Sequence, residues 1–235
     1  MNSEQVVIVT GAFSGIGLMT TELLMKSKNK VVAVGRNQQN IFPSFKTNFL
    51  PIARNLHSQR DAQDVVEFAL ERFGRIDAVI HAAGKGLFKP SMEQTQPDFE
   101  RMFADNFYGA ALLSQAILPY FVQNKSGTQV FLLPILSSDS ARLYGAAHYS
   151  AKMALSGYIE SIRYEAQKHL IKLSVLEVAQ TQTSFWGELK QPFVNQPFFS
   201  RLDVAKAILS VVTQPTTLTF NHLVLYPNTE NSLPK

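Results

Sequence analysis

Three glycines in the run Thr10-Gly11-Ala12-Phe13-Ser14-Gly15-Ile16-Gly17 are the first residues whose type and spacing suit a chemical task. Glycine serves where a chain reverses tightly and where backbone must approach a phosphate without a Cβ in the way. A helix opening directly after such a turn offers free N–H groups and a partial positive charge. The turn follows the apolar run Val6–Val9 and opens an amphipathic segment, so it reads as a cradle for the pyrophosphate of a dinucleotide. Gly11, Phe13, Ser14, Gly15, Ile16 and Gly17 are its expected binding residues. A second group follows the next apolar run, where Gly35-Arg36-Asn37 contains no acid. An acid at that point would hold the ribose 2′-hydroxyl of NAD, whereas a forked guanidinium suits the 2′-phosphate of NADP. NADP(H) is therefore the expected cofactor, with Arg36 and Asn37 at its adenosine end.

Other chemistries find little support. Cysteine is absent, which removes thiolate nucleophiles, iron–sulfur clusters and thiolate zinc sites. The five histidines, at 57, 81, 148, 169 and 222, are scattered without HExxH spacing, so no metal is expected. No G-x-S-x-G elbow occurs. The net charge of +4 is a small surplus of 22 basic over 18 acidic residues. Its densest cluster, Lys26, Lys28 and Lys30, falls where the first helix should end, and cations there favour the helix dipole. No nucleic-acid partner is expected.

The elements that must position these groups alternate between strand-like and helix-like runs, the pattern of βαβ units and a parallel sheet. Strands are expected at Val6–Thr10, Val31–Val34, Phe49–Ile52, Ile76–Ile80, about 129–136, Leu173–Val178 and His222–Leu225. Pro51 marks the third as an edge or a strand start. Helices are expected over about 15–28, 60–73, 97–123, 147–169 and 203–213. No repeat or linker divides the 235 residues, so the fold class is α/β: a doubly wound parallel sheet of Rossmann type, three layers, one domain over 1–235. The irregular stretch 184–202 carries Phe185, Trp186, Phe193, Phe198 and Phe199, which suits a lid over an apolar substrate. No apolar run approaches the roughly 20 residues that span a bilayer, and no leader precedes the first strand; a cytoplasmic protein without a membrane partner is expected.

Taken together, the chain resembles the short-chain dehydrogenase/reductase family over nearly its whole length. Thr10–Gly17 is similar to the family's TGxxxGIG turn. Ala82-Ala83-Gly84 is similar to its NNAG motif, with His81 and Ala82 in place of the two asparagines. Asn106 matches the family's helix asparagine, and Thr183 its threonine at the nicotinamide carboxamide. Asn55 falls where many members hold the adenine with an aspartate. The resemblance implies hydride transfer between NADP(H) and a small carbonyl or alcohol. It also implies homodimers or homotetramers built through the helices at about 97–123 and 147–169.

In the family a tyrosine is the acid/base, and a lysine four residues later lowers its pKa and binds the nicotinamide ribose. A serine orients the substrate oxygen, and the helix asparagine anchors a proton relay. A phenol near pKa 10 is a poor base at neutral pH until a fixed cation favours its anion. Here Tyr149 and Lys152 are three residues apart, and His148 stands four before Lys152. Two alignments follow. Either the helix start shifts register and Tyr149 is the catalytic phenol, or the helix is unbroken, His148 faces the nicotinamide and Tyr149 turns away. The first is preferred, with Ser138, Tyr149, Lys152 and Asn106 as catalytic residues and Ser137 or Ser140 as alternatives to Ser138. Val178-Ala179 replaces the usual Pro-Gly pair. These departures leave a second function open: an NADP(H)-binding sensor or interaction protein with a degenerate catalytic site.

Overall fold

The computed structural model describes residues 4–36, 47–135, 144–183, 185, 199–215 and 217–228. Among them are seven strands, β1 (Val6–Thr10), β2 (Lys30–Gly35), β3 (Phe49–Ala53), β4 (Ala78–His81), β5 (Gly127–Pro134), β6 (Ile171–Val178) and β7 (His222–Leu225). They form one sheet in the order β3-β2-β1-β4-β5-β6-β7, and every pair is parallel. The helices are α1 (Gly15–Lys26), α2 (Gln59–Phe73), α3 (Gln96–Phe103), α4 (Gly109–Asn124), α5 (Ala146–Lys168) and α6 (Arg201–Val212). Pro51 does lie on the edge strand, β3, in register with Ala33 of β2.

Alternation along the strands sorts the core into two layers. Ile8 and Val32 face α2, α4 and α5, packing with Val65, Leu113, Phe121 and Leu155. Val7, Val9 and Val31 face the other way, onto Leu24 of α1 and Val204 and Ile208 of α6. β1 is buried along its whole length, as a central parallel strand covered on both faces must be. Each of its valines adds about 1.5–3 kcal/mol of apolar burial. The chain winds outward from β1 to β3, then returns to β4 on the other side of β1, which opens a crevice beyond the carboxyl ends of these two strands.

The long helix expected over about 97–123 is interrupted. Between α3 and α4 the residues Ala104–Tyr108 form a single π-helical turn. A π turn widens the helix by one residue and is frequent at functional sites. Here it carries Asn106. No helix among the described residues is long and apolar enough to cross a membrane.

Candidate active site

The glycine turn sits at the mouth of the crevice. Gly11 has a φ of 66°, and a Cβ on it would lie 2.9 Å from Cα of Ala83. A Cβ on Gly17 would lie 2.3 Å from the carbonyl oxygen of Gly11. Both positions therefore need glycine, one for its conformation and both for close approach. Ser14 is the N-cap of α1 but its side chain makes no capping bond, so the first-turn N–H groups stay available to an anion. Thr10 ties this turn to the exit of β4, accepting a hydrogen bond from the Ala83 N–H through Oγ1 at 3.1 Å.

Two connected hollows run along the crevice. One, about 440 Å³, is lined by Ser14, Gly15, Ile16, Ala83, Gly84, Lys85, Phe88, His148, Tyr149, Lys152, Val178, Thr183 and Phe185, among others. The other, about 270 Å³, is lined by Gly11, Phe13, Arg54, Asn55, His57 and Asp105. Arg36 and Ser14 border both. Arg36 is 45% exposed at its side chain and lies 3.8 Å from the carboxylate of Asp105. The same Asp105 oxygen lies 3.3 Å from Nε2 of His57. Phe13 packs its ring over Gly35, where a Cβ would come within 2.7 Å.

Gly84 is the meeting point of Asn106 and Lys152. A Cβ there would lie 2.9 Å from Oδ1 of Asn106 and 3.5 Å from Nζ of Lys152. The Asn106 amide is fully engaged. Its Oδ1 accepts the Lys85 N–H at 3.1 Å, and its Nδ2 donates to the carbonyls of Lys85 and Met102, each at 3.0 Å. Lys152 is 6% exposed, and its ammonium donates to the Leu132 carbonyl at 3.3 Å. Burial pushes its pKa down to about 8.

α5 runs unbroken from Ala146 to Lys168, without the register shift expected for a Tyr149 phenol, so His148 and Lys152 share one face a full turn apart, with Tyr149 three residues before the lysine. Both His148 and Tyr149 line the larger hollow. His148 is 6% exposed and its Nδ1 lies 2.8 Å from the Lys85 carbonyl oxygen. Its ring meets that of Phe185 edge-on at 5.1 Å and tilts toward Phe88 at 6.2 Å. Burial, reinforced by the Lys152 cation, pushes its pKa down to about 4. His81, at the end of β4, is also brought down to about 4 by burial, with Lys152 adding to the effect. It stacks on Phe131 at 4.3 Å and pairs with Gln129 at 2.9 Å.

The structure thus gathers Gly11, Phe13, Ser14, Gly15, Ile16, Arg36, Asn55, Ala83, Gly84, Tyr149, Lys152 and Thr183 along one crevice, with Gly17 and Asn106 directly behind it. Asn37, Ser137, Ser138 and Ser140 lie outside the described residues, as does most of the lid segment, including Trp186, Phe193 and Phe198. Four participants were not singled out in the sequence: Lys85, Phe88, Asp105 and Gln94. Asp105 had one signal, its place beside Asn106. Gln94 had none; it bonds the start of α5 from a loop, its Oε1 accepting the Ala147 N–H at 2.9 Å.

Comparison with known proteins agrees with this geometry. The family model of the short chain dehydrogenases matches residues 5–192. The chain belongs to that family. It is 30% identical over 178 residues, 73% of its length, to the uncharacterized oxidoreductase YxnA of Bacillus subtilis, of which it spans half. It is 24% identical over 232 residues to the uncharacterized oxidoreductase SERP2049 of Staphylococcus epidermidis, covering 95% of this chain and 97% of that one. Among solved structures, a serine dehydrogenase in closed form with NADP+ superposes with a TM-score of 0.87 at 21% identity, covering 98% of this chain and 99% of that one. The 3-ketoacyl-(acyl-carrier-protein) reductase of Brucella melitensis, complexed with NADH, gives 0.86 at 19% identity, covering 96% of this chain and 98% of that one.

Proposed function

We propose that this protein is an oxidoreductase that transfers a hydride between NADP(H) and a carbonyl or alcohol substrate. The observation that carries the proposal is the continuous crevice running from the open N-terminus of α1, past Gly84, to Tyr149 and Lys152. The residues present fit a dinucleotide: glycines where a Cβ would block approach, unfilled N–H groups for the pyrophosphate, and Arg36 at the adenosine end. Asn37 and Asn55 flank the adenosine in this reading, and Thr183 the carboxamide. Bound there, the dinucleotide supplies or takes up the hydride.

The chain's own groups move the proton and hold the substrate. Tyr149 exchanges the proton of the substrate oxygen, and Lys152, still a cation at neutral pH, favours the phenolate. Ser138 orients the substrate oxygen. Asn106 anchors the proton relay toward Lys152, the two side chains converging at Gly84. Phe88 and Phe185 form apolar walls, which supports an apolar substrate. Self-association through α4 and α5 belongs to the same reading; Tyr108 precedes α4 and Met153 and Tyr164 lie on α5, all exposed.

The test is NADPH consumption with a panel of ketones and aldehydes, comparing the natural chain with Tyr149→Phe and Lys152→Ala. Turnover lost in both variants with NADPH binding kept in Tyr149→Phe is the expected result. Unchanged turnover in Tyr149→Phe would remove the phenol from its role. A second reading is favoured by His148 standing a full turn before Lys152 in an unbroken helix: a dinucleotide-binding protein without turnover, acting as a sensor or interaction partner. It expects NADPH binding and no consumption with any carbonyl.

A further inference from the structure

The segment that follows β2 carries no acid, yet the adenosine end of the crevice holds one, brought there by another element. Asp105 stands in the π turn directly before Asn106. Its side chain is 10% exposed, and it is the one carboxylate among the described residues that line the two hollows. A carboxylate there works against a ligand phosphate, because like charges repel, so its place calls for a second task.

Asp105 has two partners of its own, and both meet Oδ1. Nη1 of Arg36 lies 3.8 Å away, and Nε2 of His57 donates at 3.3 Å. A carboxylate has acceptor sites on two oxygens, so capacity is left for a ligand hydroxyl. Arg54, the other guanidinium of this hollow, is engaged with Asp64 at 3.3 Å.

This set balances charge in two ways. With a 2′-hydroxyl on the adenosine ribose, Arg36 keeps Asp105 as its counter-ion, and the carboxylate accepts the hydroxyl hydrogen, as an acid does in NAD sites. With a 2′-phosphate, Arg36 turns to the phosphate and His57 stays on Asp105. Neither case leaves a charged group unpaired, and an unpaired group is what makes a polar site discriminate sharply.

We propose that Asp105, paired with Arg36 and His57, lets the site take NADH as well as NADPH. Asp105 and His57 are then specificity-determining residues, and the proposal rests on the reading above only for the dinucleotide.

The experiment titrates the whole chain with NADPH and with NADH at neutral pH, following nicotinamide fluorescence. The natural chain should bind the two with dissociation constants within about tenfold of each other. Asp105→Asn should tighten NADPH and weaken NADH, moving their ratio about tenfold further toward NADPH. His57→Ala should weaken NADPH about threefold more than NADH, because Asp105 then has no partner once Arg36 turns to the phosphate. The ratio is internal to each variant, so partial loss of folded protein leaves it readable. A preference for NADPH beyond about tenfold in the natural chain, or a ratio unmoved by Asp105→Asn, overturns the proposal. Both dinucleotides bound, with neither consumed by any carbonyl, would leave this assignment standing and remove the proposed oxidoreductase. NADPH consumed by a chain that does not bind NADH would do the reverse.

Discussion

The side-chain oxygen of Gln94 accepts the backbone N–H of Ala147 at 2.9 Å, and this single bond caps a helix that has no cap of its own. Gly145 stands at the N-cap of α5 without a side chain to fill the role. The Gln94 amide nitrogen meanwhile donates to the carbonyls of Lys89 at 2.8 Å and Tyr144 at 3.1 Å. Gln94 therefore joins the loop after β4 to the first turn of α5, which carries His148 and Tyr149. Gln94→Ala should cost about 1–2 kcal/mol in chemical unfolding. It should also lower kcat while leaving NADPH affinity within about twofold in a fluorescence titration, because the glycine turn is untouched. Glu at this position keeps the acceptor and should restore the cap but not the two donated bonds.

The glycine turn gives a second prediction. Gly17→Ala places a methyl 2.3 Å from the Gly11 carbonyl, which the surrounding backbone cannot yield. We expect a loss of about 1–3 kcal/mol of stability together with dinucleotide binding. Gly157→Ala, in α5 with nothing within 4 Å of the new Cβ, is the control. It should raise stability by about 0.5–1 kcal/mol. Thermal unfolding of the two variants with and without NADPH reads both effects.

Arg36 and Asp105 should act in opposite directions on cofactor choice. Arg36→Ala removes the guanidinium offered to a 2′-phosphate and should weaken NADPH about tenfold or more while leaving NADH nearly unchanged. Asp105→Asn removes a carboxylate 3.8 Å from that guanidinium and should tighten NADPH. Titration of the two variants with both dinucleotides checks the signs. Equal weakening of NADPH and NADH in Arg36→Ala would mean that the 2′-phosphate is recognised elsewhere.

Acid should destabilise the protein through its two buried histidines. His81 and His148 both have folded pKa values lowered to about 4 from an ordinary 6.5. The unfolded chain then binds more protons than the folded one between these limits, so stability falls as pH drops from about 6.5 to 4 and is unaffected above it. The expected loss is of order 3 kcal/mol per histidine once pH reaches about 4. Denaturant melts across this range should show the slope, and His148→Gln should remove about half of it.

Much of this architecture was legible in the chain. The alternation of β-branched runs with amphipathic ones follows from covering a parallel sheet on both faces, and Pro51 marked an edge because it cannot donate to a second neighbour. The glycine turn was legible because Gly11 and Gly17 stand where a Cβ would meet backbone. The π turn at Ala104–Tyr108 was not: apolar periodicity over 97–123 reads as one helix, and the extra residue is accommodated where Asn106 docks on Lys85. The state of His148 was hidden too, since its tautomer depends on a carbonyl that sequence spacing does not place beside it. Gln94 left no pattern, because a cap supplied from a distant loop has no local signature.

The most direct measurement of the central claim is label transfer from [4,4-2H2]NADPH to a ketone, read by mass spectrometry of the alcohol formed. The expected product is an alcohol one mass unit heavier, with deuterium on the carbinol carbon, and it should be lost in Lys152→Ala. NADPH that binds tightly yet yields no labelled alcohol from any ketone or aldehyde in the panel would contradict it.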